Sequence, residues 1–268
     1  MSKTKIVGIL NITPDSFFDG GKFDAFESAI AQTKKMIAEG ADVIDIGAES
    51  TRPKAVPIGF DEEWKRLEKI LPAVIFEIKN SSRKILTSID SYHFETIKKA
   101  HGLGIDIIND VSGLVDEKII KFIAEKNIAT ILMHNLAIHA NPDLIINQHL
   151  NLTEEILNWA RKKISDLEKK GVKKSQLIFD PGIGFAKNAE QSIRILKNID
   201  AYRVLGLPLY IGHSKKSFLD ALPIAGDRAQ KTLEISKFLA GKNVEFLRVH
   251  DVKKNFVVVS RVFFDSPL

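Results

Sequence analysis

The chain contains no cysteine. Disulfides, cysteine-held zinc, iron–sulfur clusters and a thiol nucleophile are thereby excluded, and a reducing cytoplasm fits best. Long apolar runs are missing too: no stretch approaches the ~20 residues that span a bilayer. The opening MSKTKIVGIL has too short an apolar run for a secretory signal, so a cytoplasmic protein with no membrane partner is expected. No G-x-G-x-x-G follows the first apolar run and no G-x-x-x-x-G-K-[ST] occurs, so the usual dinucleotide and P-loop turns are absent. The Asn-Ile-Thr-Pro-Asp and Asp-Pro-Gly stretches lack the paired histidines of a zinc site. No Ser-His-Asp ordering stands out as a triad. The net charge is +5 and the pI about 9.1, yet the lysines (Lys162, Lys163, Lys169, Lys170, Lys173 and Lys174) interleave with glutamates as on a solvated helix face. No basic run carries interleaved aromatics, so nucleic acid is not an expected partner.

What is present is a regular alternation. Over 268 residues, 44% of them hydrophobic, strand-like apolar runs alternate with amphipathic segments, and no composition shift marks a linker. Strands are expected from Ile6 into Asn11, over 41–47, 84–89, 105–108, 128–133, 176–179, 208–211 and 244–249. Helices are expected over 25–39, 61–79, after Asp90 through His101, over 116–126, 153–170 and 189–199, near Ser217, over 228–240, and to about Val262. Residues 135–150 are expected to form an irregular loop. Strict alternation implies a parallel sheet, and eight units in roughly 250 residues imply a closed (β/α)8 barrel in one domain, 1–268. An open doubly wound sheet needs fewer strands.

The residues at the strand ends are Asn11, Glu49, Asp90, Asn109, His134, Asp180, Ser214 and Arg248. Any one of them is explained as the cap of the next helix. All eight being polar is not, because a barrel gathers these ends on one rim, where active sites are built. Asp90, Asn109 and Asp180 suit a flat ligand with N–H donors along one edge, or else a salt bridge within the rim. Arg52, Lys187, Lys215, Lys216, Arg248 and His250, with Ser50, Thr51 and Ser214, suit a phosphate or a carboxylate. His134 reads as a packed residue rather than a catalyst. A magnesium ion bridging substrate phosphates needs only one or two protein oxygens.

Seven motifs carry a resemblance: Asn11-Ile-Thr-Pro-Asp-Ser-Phe17 with Asp19-Gly-Gly21, Ile46-Gly-Ala-Glu-Ser-Thr-Arg-Pro53, Ile89-Asp90, Ile108-Asn-Asp-Val111, Met133-His134, Asp180-Pro-Gly-Ile-Gly-Phe185 and Arg248-Val-His250. Together they resemble dihydropteroate synthase over nearly the whole chain. The resemblance implies a transferase of folate biosynthesis, a target of sulfonamides, that joins p-aminobenzoate to 6-hydroxymethyl-7,8-dihydropterin pyrophosphate. It implies pterin binding by Asp90, Asn109, Asp180 and Lys216, with Met133 and Phe185 against the ring. Asn11 would hold Mg2+, and Asn11, Arg248 and His250 would take the pyrophosphate. Phe17, Thr51, Arg52, Pro53 and Ser214 would frame p-aminobenzoate. Asp19 would complete the closed site, and Asp90, Asp19, Lys216 and Arg248 would carry the chemistry. It also implies a homodimer built on the helical side, and a flap over 12–21.

The chain departs from the family pattern in three places. Lys215 stands in Ser214-Lys215-Lys216 where arginine is usual, His213 where a small residue is commoner, and Asn135-Leu-Ala-Ile-His-Ala-Asn141 where a glycine-containing loop is usual. Two other readings share the barrel. A pterin-binding methyltransferase domain has no use for the intact Thr-Pro-Asp-Ser-Phe and Ser-Thr-Arg-Pro loops. A non-catalytic paralogue would be expected to have lost the first loop or the Arg248/His250 pair.

Overall fold

The apolar runs become short parallel strands: β1 (Lys5–Asn11), β2 (Val43–Gly47), β3 (Leu86–Asp90), β4 (Ile107–Asp110), β5 (Ala129–Met133), β6 (Leu177–Asp180), β7 (Tyr210–Ile211) and β8 (Phe246–Val249). These come from a computed structural model that describes residues 4–13, 22–51, 55–138 and 144–264. The strands form one eight-stranded sheet in the order β6-β5-β4-β3-β2-β1-β8-β7. A parallel bridge between Phe179 and Leu209 joins the two ends, and the Phe179 amide donates to the Pro208 carbonyl at 2.8 Å. The sheet is therefore a (β/α)8 barrel, which removes the exposed edges an open sheet would carry.

Around it run α1 (Lys22–Glu39), α2 (Phe60–Leu67), α3 (Ile70–Lys79), α4 (Phe94–Gly102), α5 (Glu117–Lys126), α6 (Leu152–Lys169), α7 (Ala189–Lys197), α8 (Arg228–Gly241) and α9 (Val252–Phe264). Their ends follow local chemistry. The Asp116 carboxylate accepts from the Lys118 amide, and Asn188 with Gln191 and Asp227 with Gln230 form reciprocal caps. The helix expected over 61–79 is in fact two, parted at Glu68 and Lys69. Pro72 accounts for the break: it has no N–H to bond back, and its ring would meet the carbonyl of residue 68 in a continuous helix, whereas the first turn of α3 tolerates it. The segment expected as helix to Ile199 changes to a 3₁₀ stretch, Ile199–Leu205, and the one near Ser217 is also 3₁₀, Ser217–Ala221.

Strand side chains alternate between two faces. Outward-facing residues such as Ile6, Leu10, Ile44, Ile46, Ile89 and Ile108 pack against the helices in one large core. Inward-facing Val7, Val43, Ile107, Ile131, Ile178, Tyr210 and Phe246 form a second, separate cluster that plugs the lower part of the barrel. Each such buried side chain contributes roughly 2 kcal/mol of transfer free energy. The barrel is thus packed solid below, and an inward-facing group is useful only above the plug.

Candidate active site at the C-terminal rim of the barrel

One inward step above the plug the chemistry changes. Moving two residues along four of the strands turns Val43 into Asp45, Ile107 into Asn109, Ile178 into Asp180 and Phe246 into Arg248. On β3 the register sets Asp90 beside Gly47 on one side and Asn109 on the other. Asp45 is 0% exposed. Its Oδ2 accepts from Arg248 Nε at 2.6 Å and from Asn109 Nδ2 at 3.0 Å. The Arg248 Nη2 then donates to Asp90 Oδ2 at 2.6 Å. Burial raises the Asp90 carboxyl, with Arg248 opposing and the Asp45 charge adding to the rise. Burial works against the Arg248 charge, but Asp45 and Asp90 outweigh it and raise its pKa further. Two carboxylates thus share one guanidinium, and a carboxylate, having no hydrogen to give, fixes which end of the Asn109 amide faces it.

Asp45 was not among the expected site residues, because it lies inside β2 rather than at its end. Its signal was available: a charge in the Ile-Asp-Ile alternation, on the same face as Val43 and two residues before Gly47.

On the β6 side, the Asp180 Oδ1 accepts from the Gly182 amide at 2.7 Å. Gly182 has φ +70°, and a Cβ there would lie 2.0 Å from the His134 carbonyl oxygen, so the Asp-Pro-Gly turn admits only glycine at this place. Burial raises the Asp180 carboxyl, and Lys216 opposes that rise. The Lys216 Nζ donates to the Ile183 carbonyl and lies 4.8 Å from the centroid of Phe185. Burial lowers the Lys216 pKa to about 8, Asp180 notwithstanding. Met133 is buried and sits opposite Asp180 in the β5–β6 register.

Lys187, expected as a rim cation, is instead turned inward and buried. Its Nζ reaches the Phe185 carbonyl at 2.8 Å, the His134 carbonyl at 3.3 Å and the His134 Nδ1 at 2.9 Å. Burial lowers Lys187 to about 7, and burial with the Lys187 charge lowers His134 to about 3. His134 is therefore neutral and accepts at Nδ1, with its ring edge-on to Trp159 at 4.8 Å. This pair acts as a strut beneath the Asp180–Phe185 loop.

Ser214 is nearly buried, and its Oγ lies 2.9 Å from His250 Nδ1 and 3.3 Å from the His250 amide. These two expected site residues therefore meet. Asn11 ends β1 facing inward, half-buried, with the next amide, that of Ile12, bonded to the Gly47 carbonyl at 2.7 Å. Thr51 is half-buried past the end of β2. Phe17, Asp19, Arg52 and Pro53 lie outside the described residues, as does the bulk of the 12–21 segment. Of the three departures, Lys215 is exposed at φ +57° with its amide on the Thr232 hydroxyl at 3.1 Å. His213 is fully buried, with Nε2 2.8 Å from the Ser236 hydroxyl. The loop after β5 has no helix or strand in its described part, and the Asn135 amide nitrogen donates to the Val111 carbonyl at 3.0 Å.

The barrel is thus closed below by an apolar plug and carries a self-paired layer of Asp, Asn and Arg above it, at its C-terminal rim. The family model for pterin binding enzymes matches residues 7–250. A dihydropteroate synthase of Streptococcus pyogenes is 36% identical over 260 residues, covering 95% of this chain and 93% of that protein. A crystal structure of dihydropteroate synthase from Anaplasma phagocytophilum with bound 6-hydroxymethylpterin-monophosphate superposes with a TM-score of 0.88 at 37% identity, covering 98% and 99% of the two chains. The chain belongs to the dihydropteroate synthase family of pterin binding enzymes. It spans only 31% of a Halobacterium salinarum relative, 36% identical to it, that is named as a probable bifunctional folylpolyglutamate synthase/dihydropteroate synthase.

Proposed function

We propose that the protein is a dihydropteroate synthase, a transferase that condenses p-aminobenzoate with 6-hydroxymethyl-7,8-dihydropterin pyrophosphate. The bond between the pterin methylene and the pyrophosphate oxygen breaks, a bond to the arylamine nitrogen forms, and one proton is released. The observation that carries this reading is the inward layer of Asp45, Asn109, Asp90, Asp180 and Arg248 above an apolar plug. With its NH2 taken by Asp45, Asn109 keeps its carbonyl oxygen as an acceptor for a pterin N–H. The second oxygen of Asp180 does the same, and Lys216 beside Phe185 supplies the cation over the ring plane. Met133 closes the other side of the slot.

As the leaving group departs, positive charge develops on the methylene and spreads into the pterin ring. Asp90 lies on the rim to stabilise that charge, and its partner Arg248 is shared between the carboxylates and the departing pyrophosphate. His250, seated on Ser214, is the second pyrophosphate ligand. The arylamine is itself the nucleophile, so the protein needs no nucleophile of its own; it positions the two substrates and excludes water. Thr51 and Ser214, with Phe17, Arg52 and Pro53 of the loop motifs, frame the p-aminobenzoate, and Asp19 completes the site.

Among the described residues no three histidines or carboxylates are arranged as a metal cage. A magnesium ion carried on substrate phosphates requires no cage, and the half-buried amide oxygen of Asn11 at the end of β1 fits as its single protein ligand. Bound there, the ion would supply charge neutralisation for the leaving pyrophosphate. A homodimer formed on the helical side belongs to the same reading, and sedimentation analysis tests it. For the reaction, pyrophosphate release is measured with the pterin pyrophosphate, p-aminobenzoate and Mg2+ together. Release that requires the arylamine supports the synthase. No release contradicts it and favours the methyltransferase domain or the non-catalytic paralogue.

A further inference from the structure

Beside the pterin layer lies a second buried polar cluster that the reaction above does not use. β2 leaves the barrel through Gly47-Ala48-Glu49, and the chain returns through Ile58 to enter α2. The Glu49 carboxylate, 3% exposed, spans both ends of this excursion. Its Oε1 accepts from the Ile58 amide at 3.2 Å and from the Tyr92 hydroxyl at 2.6 Å. Its Oε2 faces His93 Nε2 at 3.0 Å. Tyr92 and His93 follow Asp90 by two and three residues, so the donors come from the exit of the neighbouring strand.

That exit is itself tied down. Ser91 donates to the buried Glu63 of α2 at 2.9 Å and accepts from the His93 amide at 3.1 Å, and Thr96 also donates to Glu63. The Arg66 guanidinium of α2 holds the Ala48 carbonyl at 3.0 Å. The rings of Tyr92 and His93 lean on each other with centroids 4.4 Å apart. The result is a bracket whose one arm carries Asp90 and whose other arm carries the base of the 50–57 loop, including Thr51.

We infer that Tyr92 and His93 are positioning residues that act through Glu49 to hold the arylamine-side loop at a fixed distance from the pterin-side carboxylate. This rests on the proposed function, in which Thr51 and its loop receive p-aminobenzoate and Asp90 stands at the pterin. A condensation between two bound substrates depends on the offset between their pockets, and an error of about 1 Å in such an offset lowers the rate on the order of a hundredfold. The charges facing His93 are Glu49 from the β2 exit and Glu63 from α2. The Glu49 hydrogen bond is the main cause of its raised pKa, with burial opposing. Burial works to raise the Glu49 carboxyl, but the bonds from His93, Tyr92 and Ile58 outweigh it and hold it ionised.

The test uses Tyr92→Phe, His93→Ala and His93→Gln in the full chain. The first two are expected to raise the KM for p-aminobenzoate about tenfold, the effect of losing one hydrogen bond to a charged group. The Kd for the pterin pyrophosphate should stay within about twofold of the parent's, and His93→Gln, which keeps an N–H donor, should recover most of the loss. In the parent, the KM for p-aminobenzoate should rise on the alkaline side of the raised His93 pKa, and His93→Gln should flatten that rise. An unchanged KM, or equal weakening of both substrates, overturns the assignment. Hydrogen exchange at the Ile58 amide separates the two readings. If the parent shows no turnover, the proposed function is what fails, and the bracket is judged on exchange alone. Faster exchange in His93→Ala then upholds the bracket, and unchanged exchange overturns it.

Discussion

Val43 and Asp45 stand on the same face of β2, two residues apart, and both are buried, yet they belong to two different environments. Val43 lies in a plug of aliphatic and aromatic side chains held by contact, in which the Tyr210 hydroxyl is the one polar side-chain group. Asp45 lies in a layer where every member must find a partner: Arg248 and Asn109 donate to it, and Arg248 also reaches Asp90. The plug stabilises by area, the layer by pairing, and pairing of buried charge contributes little net stability. The upper layer is therefore better explained by its work at the rim than by the fold.

Val43→Asp places an unpartnered carboxylate among apolar neighbours, and the expected loss is more than about 4 kcal/mol. Urea unfolding followed by circular dichroism should show no cooperative native baseline, whereas a parent-like transition would mean that the plug is not dry. The reverse experiment is Asp45→Asn. It keeps the shape, removes the charge that holds Arg248 and confuses the Asn109 amide. It should lower kcat/KM on the order of a hundredfold, equivalent to ~2.7 kcal/mol, with a smaller loss in unfolding free energy.

A third test concerns pH. Burial brings Lys216 down to about 8, so its cation is lost as pH rises through that value. Steady-state kcat/KM should fall on the alkaline side of about pH 8, and Lys216→Arg, which does not titrate there, should move the fall upward. A fourth test lies outside the site. His213 is buried and its pKa is lowered to about 4, chiefly by burial, while in an unfolded chain it protonates near ~6.5. Between these values the unfolded state binds more protons, so this residue's contribution to stability is lost as pH falls from ~6.5 toward 4. His213→Gln should remove up to about 3 kcal/mol of the acid-side slope in unfolding free energy.

Much of this was legible in the sequence. The alternation of apolar runs with amphipathic segments fixes the barrel, and polar strand ends such as Asp90, Asn109, Asp180 and Arg248 point to the rim. Less legible was what lies deeper on the inward face of a strand. Asp45 is not marked by the strand ends, because it lies on the inward face within β2. Counting every second residue from Val43, Ile107, Ile178 and Phe246 would have found it. Lys187 shows the opposite limit, since a lysine near a rim reads as an anion ligand, and only tertiary packing against His134 and Phe185 turns it into a strut. The break before Pro72 was available from local chemistry alone.

In the proposed function, the inward polar layer recognises the N–H edge of a pterin. Calorimetric titration of a 6-hydroxymethylpterin into the parent and into Asp180→Asn tests it most directly. Asparagine can still accept from the Gly182 amide, but it then turns an NH2 toward the ligand's own N–H donors. The affinity is expected to fall on the order of a hundredfold while the thermal midpoint barely moves. Parent-like affinity in Asp180→Asn would contradict it.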